Sequence, residues 1–267
     1  MTCYAGAEKG TKVERRIVAL FSCGAASAVA TKLAISCTKA AEVAIHNTFV
    51  AEEHPDNQRF LQDCQGWFGH EVETFRNEKY SGSIYEVFRK ERYIKNRNGA
   101  ACTRCLKRDE RDKRLRPDDL VVVGFTAEEE ERYDRFIDAN QHLRTAAPLI
   151  EKGVTKSDCL AMVERSRIEL PTMYRLGFHN NNCRGCVKGG KGYWNKVRRI
   201  FPAYFERMSC VQDTLGPGSY FWPGAKEGDE RISLRALPEN AGDYESEPEI
   251  QCGLFCEMAE RDMQEAA

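Results

Sequence analysis

No run of apolar residues in this chain approaches the ~18 that a membrane-spanning helix needs. The opening segment, MTCYAGAEKGTKVERR, lacks the apolar stretch of a secretory signal. Internal repeats and low-complexity tracts are absent as well. These absences argue against a membrane or secreted protein and make a cytoplasmic location the expectation. With 267 residues, of which 42% are hydrophobic, the chain can bury the core of one or two domains.

Cysteine, by contrast, is abundant, with 12 residues. Disulfides are disfavoured in the cytosol, so cysteines that cluster there indicate metal binding or thiol chemistry. Six of the cysteines fall in three close pairs: Cys102 and Cys105, Cys183 and Cys186, Cys252 and Cys256.

The C-x-x-C motif Cys183–Cys186 is the strongest single signal, because two thiolates separated by two residues can bind one metal from a single turn. Two further ligands would come from Cys252 and Cys256 or from Cys102 and Cys105. Four thiolates suit zinc or an iron–sulfur cluster, and the spacing does not choose between them. A redox dithiol and a pair of free thiols are the alternatives.

The net charge of −1 conceals a strong asymmetry. Arg89–Arg116 holds 12 Lys and Arg against 4 acidic residues, whereas Glu227–Ala267 holds 12 acidic residues against 3 Arg. The basic stretch can meet the phosphates of a nucleotide or a nucleic acid, or it can be a solvated face. The aromatic and basic side chains of Tyr193, Trp194, Arg198 and Arg199 can stack on and neutralise nucleic acid. Core packing of a helix explains Trp194, Val197 and Phe201 equally well.

A short apolar strand, Arg16–Phe21, is followed by an alanine-rich helix from Ala25. The turn between them consists of small residues: Ser22, Cys23, Gly24, Ala25, Ala26 and Ser27. A strand that turns tightly into a helix points backbone N–H groups and the positive helix end at one spot. Small side chains let a phosphate approach that backbone, so the turn is a candidate phosphate-binding loop.

Strands are also predicted over Glu42–Val50, His70–Arg76 and Leu120–Phe125. Helices are predicted from Pro55 or Asp56, over Ser83–Ile94 with Ser83 as cap, and over Thr155–Arg167 with Thr155 or Ser157 as cap. This alternation predicts an α/β fold with a Rossmann-like doubly wound parallel sheet.

From Pro148 the composition changes, and the C-terminal region becomes irregular and cysteine-bearing. We therefore predict a nucleotide-binding core over residues 1–147 and a C-terminal region over 148–267 packed on that core. In doubly wound sheets, ligands bind at the carboxyl ends of the strands. We expect Ser22–Ser27, Glu52–Asp56 and Gly124–Arg132 to converge there.

Gly124, at the end of a predicted buried strand, would let a nucleotide base lie against the backbone. Candidates for contacts to ribose, phosphate or substrate follow predicted strands or sit in the basic stretch: His54, Asp56, Lys107 and Arg132. Exposed loop residues and a plain acidic helix start are the alternative interpretations.

Together these residues resemble the PP-loop superfamily and, within it, the phosphoadenosine phosphosulfate reductase family. The resemblance extends from about Arg16 to Cys256. It is carried by Ser22–Ser27 in place of an S-G-G-x-D-S loop, EEHPD at Glu52–Asp56, CT-x-x-LK at Cys102–Lys107, Gly124, NNC-x-GCVKGG-x-GYWN at Asn181–Asn195, and CGLFC at Cys252–Cys256. The later motifs resemble a bacterial and phage branch more than the reductases.

The resemblance implies a PP-loop type of fold that binds ATP or another adenine nucleotide, often together with an iron–sulfur cluster or zinc. Such enzymes adenylate an oxygen of the substrate, release pyrophosphate, and let sulfur displace AMP. It implies Cys102 as the thiol that handles sulfur, with a nucleobase or nucleic acid as acceptor and a sulfur-donor protein as partner. Since the family pattern does not specify Cys105, the resemblance favours Cys183, Cys186, Cys252 and Cys256 as the metal ligands.

Two positions depart from the family pattern. Ala26 stands where ATP-cleaving members have an aspartate, which argues against Mg²⁺-assisted release of pyrophosphate. Phe255 stands where the reductases have a histidine, which argues against Cys252 as a nucleophile. The alternatives to sulfur transfer are a sulfonucleotide reductase that uses Cys252 with a thioredoxin-like partner, and a non-catalytic module that binds metal and nucleotide.

Overall fold

The computed structural model describes residues 16–37, 42–96, 99–222, 231–248 and 250. The chain divides into two compact units. The first, here called the sheet unit, comprises Met1–Thr48, Pro55–Phe75 and Arg111–Asn181. The second, here called the cysteine unit, comprises Phe49–His54, Arg76–Glu110 and Asn182–Ala267. A boundary at residues 147 and 148 stays a prediction.

The strands in chain order are β1 (Arg16–Leu20), β2 (Glu42–Thr48), β3 (Glu73–Phe75), β4 (Lys95–Asn96), β5 (Gly99–Ala100), β6 (Leu120–Val122) and β7 (Arg144–Ala146). The helices are α1 (Ala25–Cys37), α2 (Asn57–Phe68), α3 (Ile84–Glu91), α4 (Asp109–Asp112), α5 (Glu130–Ala139), α6 (Pro148–Glu151), α7 (Lys156–Arg165), α8 (Thr172–Arg175), α9 (Lys191–Ile200) and α10 (Pro202–Leu215). Short 3₁₀ turns lie at Glu78–Tyr80, Ala127–Glu129 and Pro217–Ser219, and a π-helical stretch spans Thr103–Arg108.

In the described part of the sheet unit, a five-stranded sheet runs in the order β3-β2-β1-β6-β7, and all neighbouring strands are parallel. The central strand β1 is apolar on both faces, and Val18 and Ala19 are fully buried. The chain moves from β1 outward to β3 and then returns to build β6 and β7 on the other side. The predicted α/β doubly wound sheet is confirmed, and its order reverses between β1 and β6.

The predicted N-terminal cap is found at α7 but not at α3. Thr155 caps α7 as predicted, since its hydroxyl accepts the Asp158 N–H at 3.1 Å in a capping box. Ser83 precedes α3, but its hydroxyl donates to Glu52 Oε1 at 2.6 Å. Glu52 also accepts the Ile84 N–H at 2.9 Å. The buried carboxylate of Glu52 is therefore the cap of α3, in place of the predicted serine.

The cysteine unit has a helical core. Trp194 on α9 is fully buried and packs against Phe205 and Phe221, with ring centroids 6.2 and 5.4 Å away. The strands β4 and β5 pair as a small antiparallel hairpin within the stretch that the sequence marks only as polar. Within the described residues, no helix is long and apolar enough to cross a membrane.

Candidate functional site

The Ser22–Ser27 loop connects the carboxyl end of β1 to α1, at the point where the strand order reverses. Phe21 anchors its start, because its backbone N–H donates to His46 O at 2.9 Å and its ring packs edge-on against Phe68. Ser22 is exposed and Gly24 half-buried, whereas Cys23 is buried. The core thus holds the start of the loop, while Ser22 is exposed to solvent. The loop lies at the place where ligands bind in such sheets.

Cys23 gives the loop its shape through an uncommon backbone conformation, with φ at +57°. For a non-glycine residue this costs on the order of 1–3 kcal/mol, so the surroundings must hold it. The Asn47 amide donates to Phe21 O at 2.8 Å and lies 3.5 Å from the Cys23 sulfur. The Asn181 amide donates to Cys23 O at 2.6 Å and to Asn57 Oδ1 at 2.8 Å. These buried amides set the loop before any ligand binds.

Ser27 closes the loop on its other side. Its hydroxyl accepts the Ser22 N–H at 3.1 Å and donates to Gly24 O at 2.9 Å. The Ser22 hydroxyl donates to the Ser27 Oγ at 3.1 Å. The Ser27 side chain is buried and so forms an internal brace of the loop.

The first turn of α1 provides the electrostatics of an anion site. Its N–H groups, from Ala25 to Ser27, have no acceptor within the helix. The turn contains no acidic residue. A phosphate placed there would meet backbone donors and the positive end of the helix dipole, without a carboxylate in this turn to repel it.

Gly124 follows β6 and lies directly against this turn. A β-carbon at position 124 would stand 2.7 Å from the Ser27 Cα and 2.9 Å from the Ser27 N. Any side chain would therefore displace the backbone of α1. The structure brings Gly124 and the Ser22–Ser27 loop together; a nucleotide base near Gly124 stays a prediction.

Tyr174, on α8, is a loop neighbour that the sequence reasoning missed. Its ring packs against the core of the sheet unit, and its hydroxyl accepts the Ala25 N–H at 3.4 Å. The same hydroxyl lies 3.5 Å from the point where a β-carbon on Gly24 would stand. The hydroxyls of Ser22 and Ser27 lie 3.8 and 3.9 Å from that point. No local signal marks a tyrosine 150 positions away as part of the loop.

Asp56 and Arg132, two predicted substrate contacts, are both bound by other side chains of the sheet unit. Asp56 accepts Arg59 Nε at 2.7 Å and the Thr172 N–H at 2.8 Å, so it links α2 to α8. The Arg59 guanidinium holds the pKa of Asp56 far below its usual range. Arg132 pairs with Glu129 and lies over the Phe125 ring at 4.8 Å. Substrate contacts from either residue stay predictions.

In the cysteine unit, Cys183–Cys186 forms a turn that we call the C-x-x-C turn, with both cysteines buried. Gly185 has φ at +96°, a conformation that glycine adopts without strain. The Tyr193 hydroxyl donates to Cys183 O at 2.9 Å and accepts the N–H groups of Gly185 at 3.1 Å and Cys186 at 2.9 Å. One phenol therefore holds three backbone groups of the turn.

Tyr193 is itself held at the start of α9. The carboxylate of Glu247 accepts the Gly192 N–H at 2.6 Å and the Tyr193 N–H at 2.9 Å, and so caps this helix. Tyr193 and Trp194 are both buried. Stacking of these two rings on nucleic acid is therefore wrong, and core packing is the correct interpretation.

Arg184, inside the C-x-x-C turn, connects it to the loop after β2. Its N–H donates to Glu52 O at 3.0 Å, and its guanidinium donates to Glu53 O at 3.1 Å. Lys107 forms an ion pair with Glu53 at 3.1 Å in the same unit. The structure thus brings Lys107 and the C-x-x-C turn to one acidic loop. His54, next in that loop, has its ring centroid 6.3 Å from that of Phe201.

Cys102 and Cys105 lie at the start of the π-helical stretch. Cys102 is half-buried, whereas Cys105 is fully buried, and burial raises the pKa of the Cys105 thiol. Among the described residues, no group of three or more His, Cys, Asp or Glu side chains is placed to hold a metal ion. These two cysteines therefore do not complete a metal site with the C-x-x-C turn. Cys252 and Cys256 lie outside the described residues.

No protein-family model matches the chain, and no curated protein matches its sequence. Among solved structures, one that is similar is the U34-tRNA thiolase NcsA from Methanococcus maripaludis with its [4Fe-4S] cluster. The alignment covers 87% of the present chain and 83% of the thiolase chain. The TM-score is 0.39 and the sequence identity is 11%, a level that carries no functional argument.

Proposed function

We propose that this protein is an adenine-nucleotide-dependent sulfur-transfer enzyme of the PP-loop kind, which activates its substrate by adenylation. The observation that carries the proposal is the preformed Ser22–Ser27 loop at the reversal of the strand order, closed against Gly124. The sulfur chemistry is inferred from the distributed motifs that resemble the phosphoadenosine phosphosulfate reductase family.

In the proposed reaction, the N–H groups of the first turn of α1 bind the phosphates of the nucleotide. A substrate oxygen attacks the α-phosphorus, the bond to the β-phosphate oxygen breaks, and pyrophosphate leaves. A sulfur nucleophile then displaces AMP, which takes the activated oxygen with it. Cys102 is proposed to carry the sulfur as a persulfide that the sulfur donor loads. Attack by the outer sulfur leaves the substrate joined to Cys102 through an S–S bond, and an external dithiol reductant cleaves this bond and is itself oxidised to a disulfide. The half-buried position of Cys102 supports this role better than the full burial of Cys105. A nucleobase is the proposed class of acceptor.

A metal centre is proposed at the C-x-x-C turn. The turn supplies two buried thiols, which fits half of a four-thiolate site for zinc or an iron–sulfur cluster. Beside it, the Asn182 amide donates to Ile250 O at 3.0 Å. Cys252 follows Ile250 by two residues, a reach of about 7 Å. This contact supports Cys252 and Cys256 as the remaining ligands. An iron–sulfur cluster there would supply a site that binds the sulfur, whereas zinc would stabilise the local fold.

The test is anaerobic purification followed by metal analysis, visible absorption and calorimetric titration with ATP. We expect bound metal and ATP binding, with pyrophosphate release when a nucleic-acid acceptor and a sulfur donor are present. A protein with no metal, no charge-transfer absorption and no ATP binding would contradict the proposal.

Two cysteine variants separate the metal ligands from buried cysteines in general. Cys183→Ser should lose the metal, because a hydroxyl replaces a thiolate ligand. Cys159→Ser, at a fully buried cysteine of α7 in the sheet unit, should keep it. Equal metal loss in both variants would indicate unfolding and would remove the support for the C-x-x-C turn as the metal site.

A further inference from the structure

Gly24 is half-buried in the loop, and neither its backbone conformation nor a steric clash requires glycine at this position. The φ of Gly24 lies outside the left-handed region, so the backbone does not require glycine there. A β-carbon would meet its nearest neighbours at 3.5 to 3.9 Å, which are ordinary contacts. Gly124 differs, because a β-carbon there would collide with backbone. A β-carbon is therefore tolerated at Gly24, and its nearest neighbours would be the hydroxyl oxygens of Tyr174, Ser22 and Ser27.

Of these three hydroxyls, that of Tyr174 alone comes from outside the loop. Ser22 and Ser27 belong to the loop, whereas Tyr174 reaches it from α8 with a half-buried ring that packs against the core. Its contact to the Ala25 N–H is 3.4 Å, long for an N–H···O hydrogen bond. A phosphate oxygen would be a stronger acceptor for that N–H, since charge-assisted bonds are shorter and stronger.

We propose that Tyr174 is a phosphate-binding residue of the nucleotide site, whose hydroxyl donates to a phosphate oxygen above Gly24. This inference rests on the proposed nucleotide-binding function and adds a residue to it. The phenol accepts the Ala25 N–H without a ligand, and with a nucleotide its proton points to the phosphate. The bound phosphate then receives donors from the first turn of α1 on one side and from Tyr174 on the other. Tyr174 is a neutral donor, so this contact requires no metal ion.

The experiment compares Tyr174→Phe with the wild type in calorimetric titrations with ATP, inorganic pyrophosphate and adenosine. The variant keeps the packed ring and removes only the hydroxyl. Tyr133→Phe is the matched control, since it removes a half-buried hydroxyl of the same unit, which lies 3.0 Å from Thr145 Oγ1. We expect Tyr174→Phe to weaken ATP and pyrophosphate binding about 10- to 100-fold. Adenosine binding should change less than about twofold, and Tyr133→Phe should bind all three ligands as the wild type does.

The outcomes separate this inference from the function on which it rests. Unchanged ATP and pyrophosphate affinity in Tyr174→Phe would overturn the role of Tyr174 and leave the proposed function standing. Equal weakening for adenosine and ATP would also overturn it, because a structural role affects every ligand alike. A wild-type protein that binds neither ATP nor pyrophosphate would overturn both.

Discussion

Replacing Gly124 by alanine adds one methyl group at the contact between the end of β6 and the first turn of α1. The new carbon would stand 2.7 Å from the Ser27 Cα, 2.9 Å from the Ser27 N and 3.2 Å from the Ala26 carbonyl carbon. All three are backbone atoms, so no side chain can rotate away. Relief requires the nearest pair to separate by about 0.7 Å. Forced shifts of this kind cost about 1–3 kcal/mol.

The same shift moves the donors that are proposed to bind phosphate. We expect the free energy of unfolding of Gly124→Ala to fall by about 1–3 kcal/mol, as measured by urea denaturation. We also expect its affinity for ATP, measured by calorimetry, to fall about tenfold, because hydrogen bonds to a charged group lose strength when misaligned.

Gly66→Ala is the matched control for this substitution. Gly66 lies inside α2, and a β-carbon there would meet nothing within 4 Å. Alanine in a helix interior is favoured over glycine by about 0.5–1 kcal/mol, so the control should gain stability and bind ATP normally. A Gly124→Ala protein as stable as the wild type would refute the steric reasoning. A destabilised variant with unchanged ATP affinity would refute the link between this contact and the nucleotide.

Two further substitutions test the charge of the loop and a buried histidine. Ala26→Asp should weaken ATP binding about tenfold without Mg²⁺, because a carboxylate repels phosphate. The same carboxylate can ligate Mg²⁺, so ATP binding by this variant should depend on the ion. Ser157→Asp, in the first turn of α7, is the control and should bind ATP as the wild type does. Burial, with the charges of Arg16 and Arg114, lowers the pKa of His46 from 6.5 to about 4. The unfolded chain therefore binds more protons than the native protein below pH 6.5, and about 3 kcal/mol of stability should be lost as the pH falls from 6.5 to 4. Urea denaturation should show this loss much reduced in His46→Gln; an unchanged pH dependence would contradict the assignment.

Local sequence patterns predicted the elements that carry their own signal. The apolar run at β1, the small residues of the Ser22–Ser27 loop and the Thr155 cap can each be read within a few positions, and the structure contains all three. The strand β7 gave no such signal, because Arg144–Ala146 has only three residues and an exposed arginine. Its extended form depends on pairing with β6. Propensity cannot report a conformation that a neighbouring strand imposes.

The candidate site was predictable only where its parts are contiguous. The small-residue loop was identified, but the groups that hold it come from distant positions: Asn47, Asn57, Tyr174 and Asn181. In the cysteine unit, the sequence presents Tyr193 as a candidate for stacking on nucleic acid, yet its hydroxyl organises the C-x-x-C turn. Such contacts depend on the path of the whole chain, which one sequence does not disclose.

The Ser22–Ser27 loop combines a strained residue, Cys23, with several hydrogen bonds that hold it. These hydrogen bonds explain how the loop keeps its shape with alanine, not aspartate, at position 26. In the first turn of α1, no carboxylate is present to place a metal ion. The buried amides around Cys23 and the hydroxyl of Ser27 nevertheless fix the loop without one. Because these contacts already hold the loop in place, the proposed phosphate would bind without a cost for ordering its donors. Under the proposed function, the phosphate would therefore bind at this loop without an aspartate at position 26.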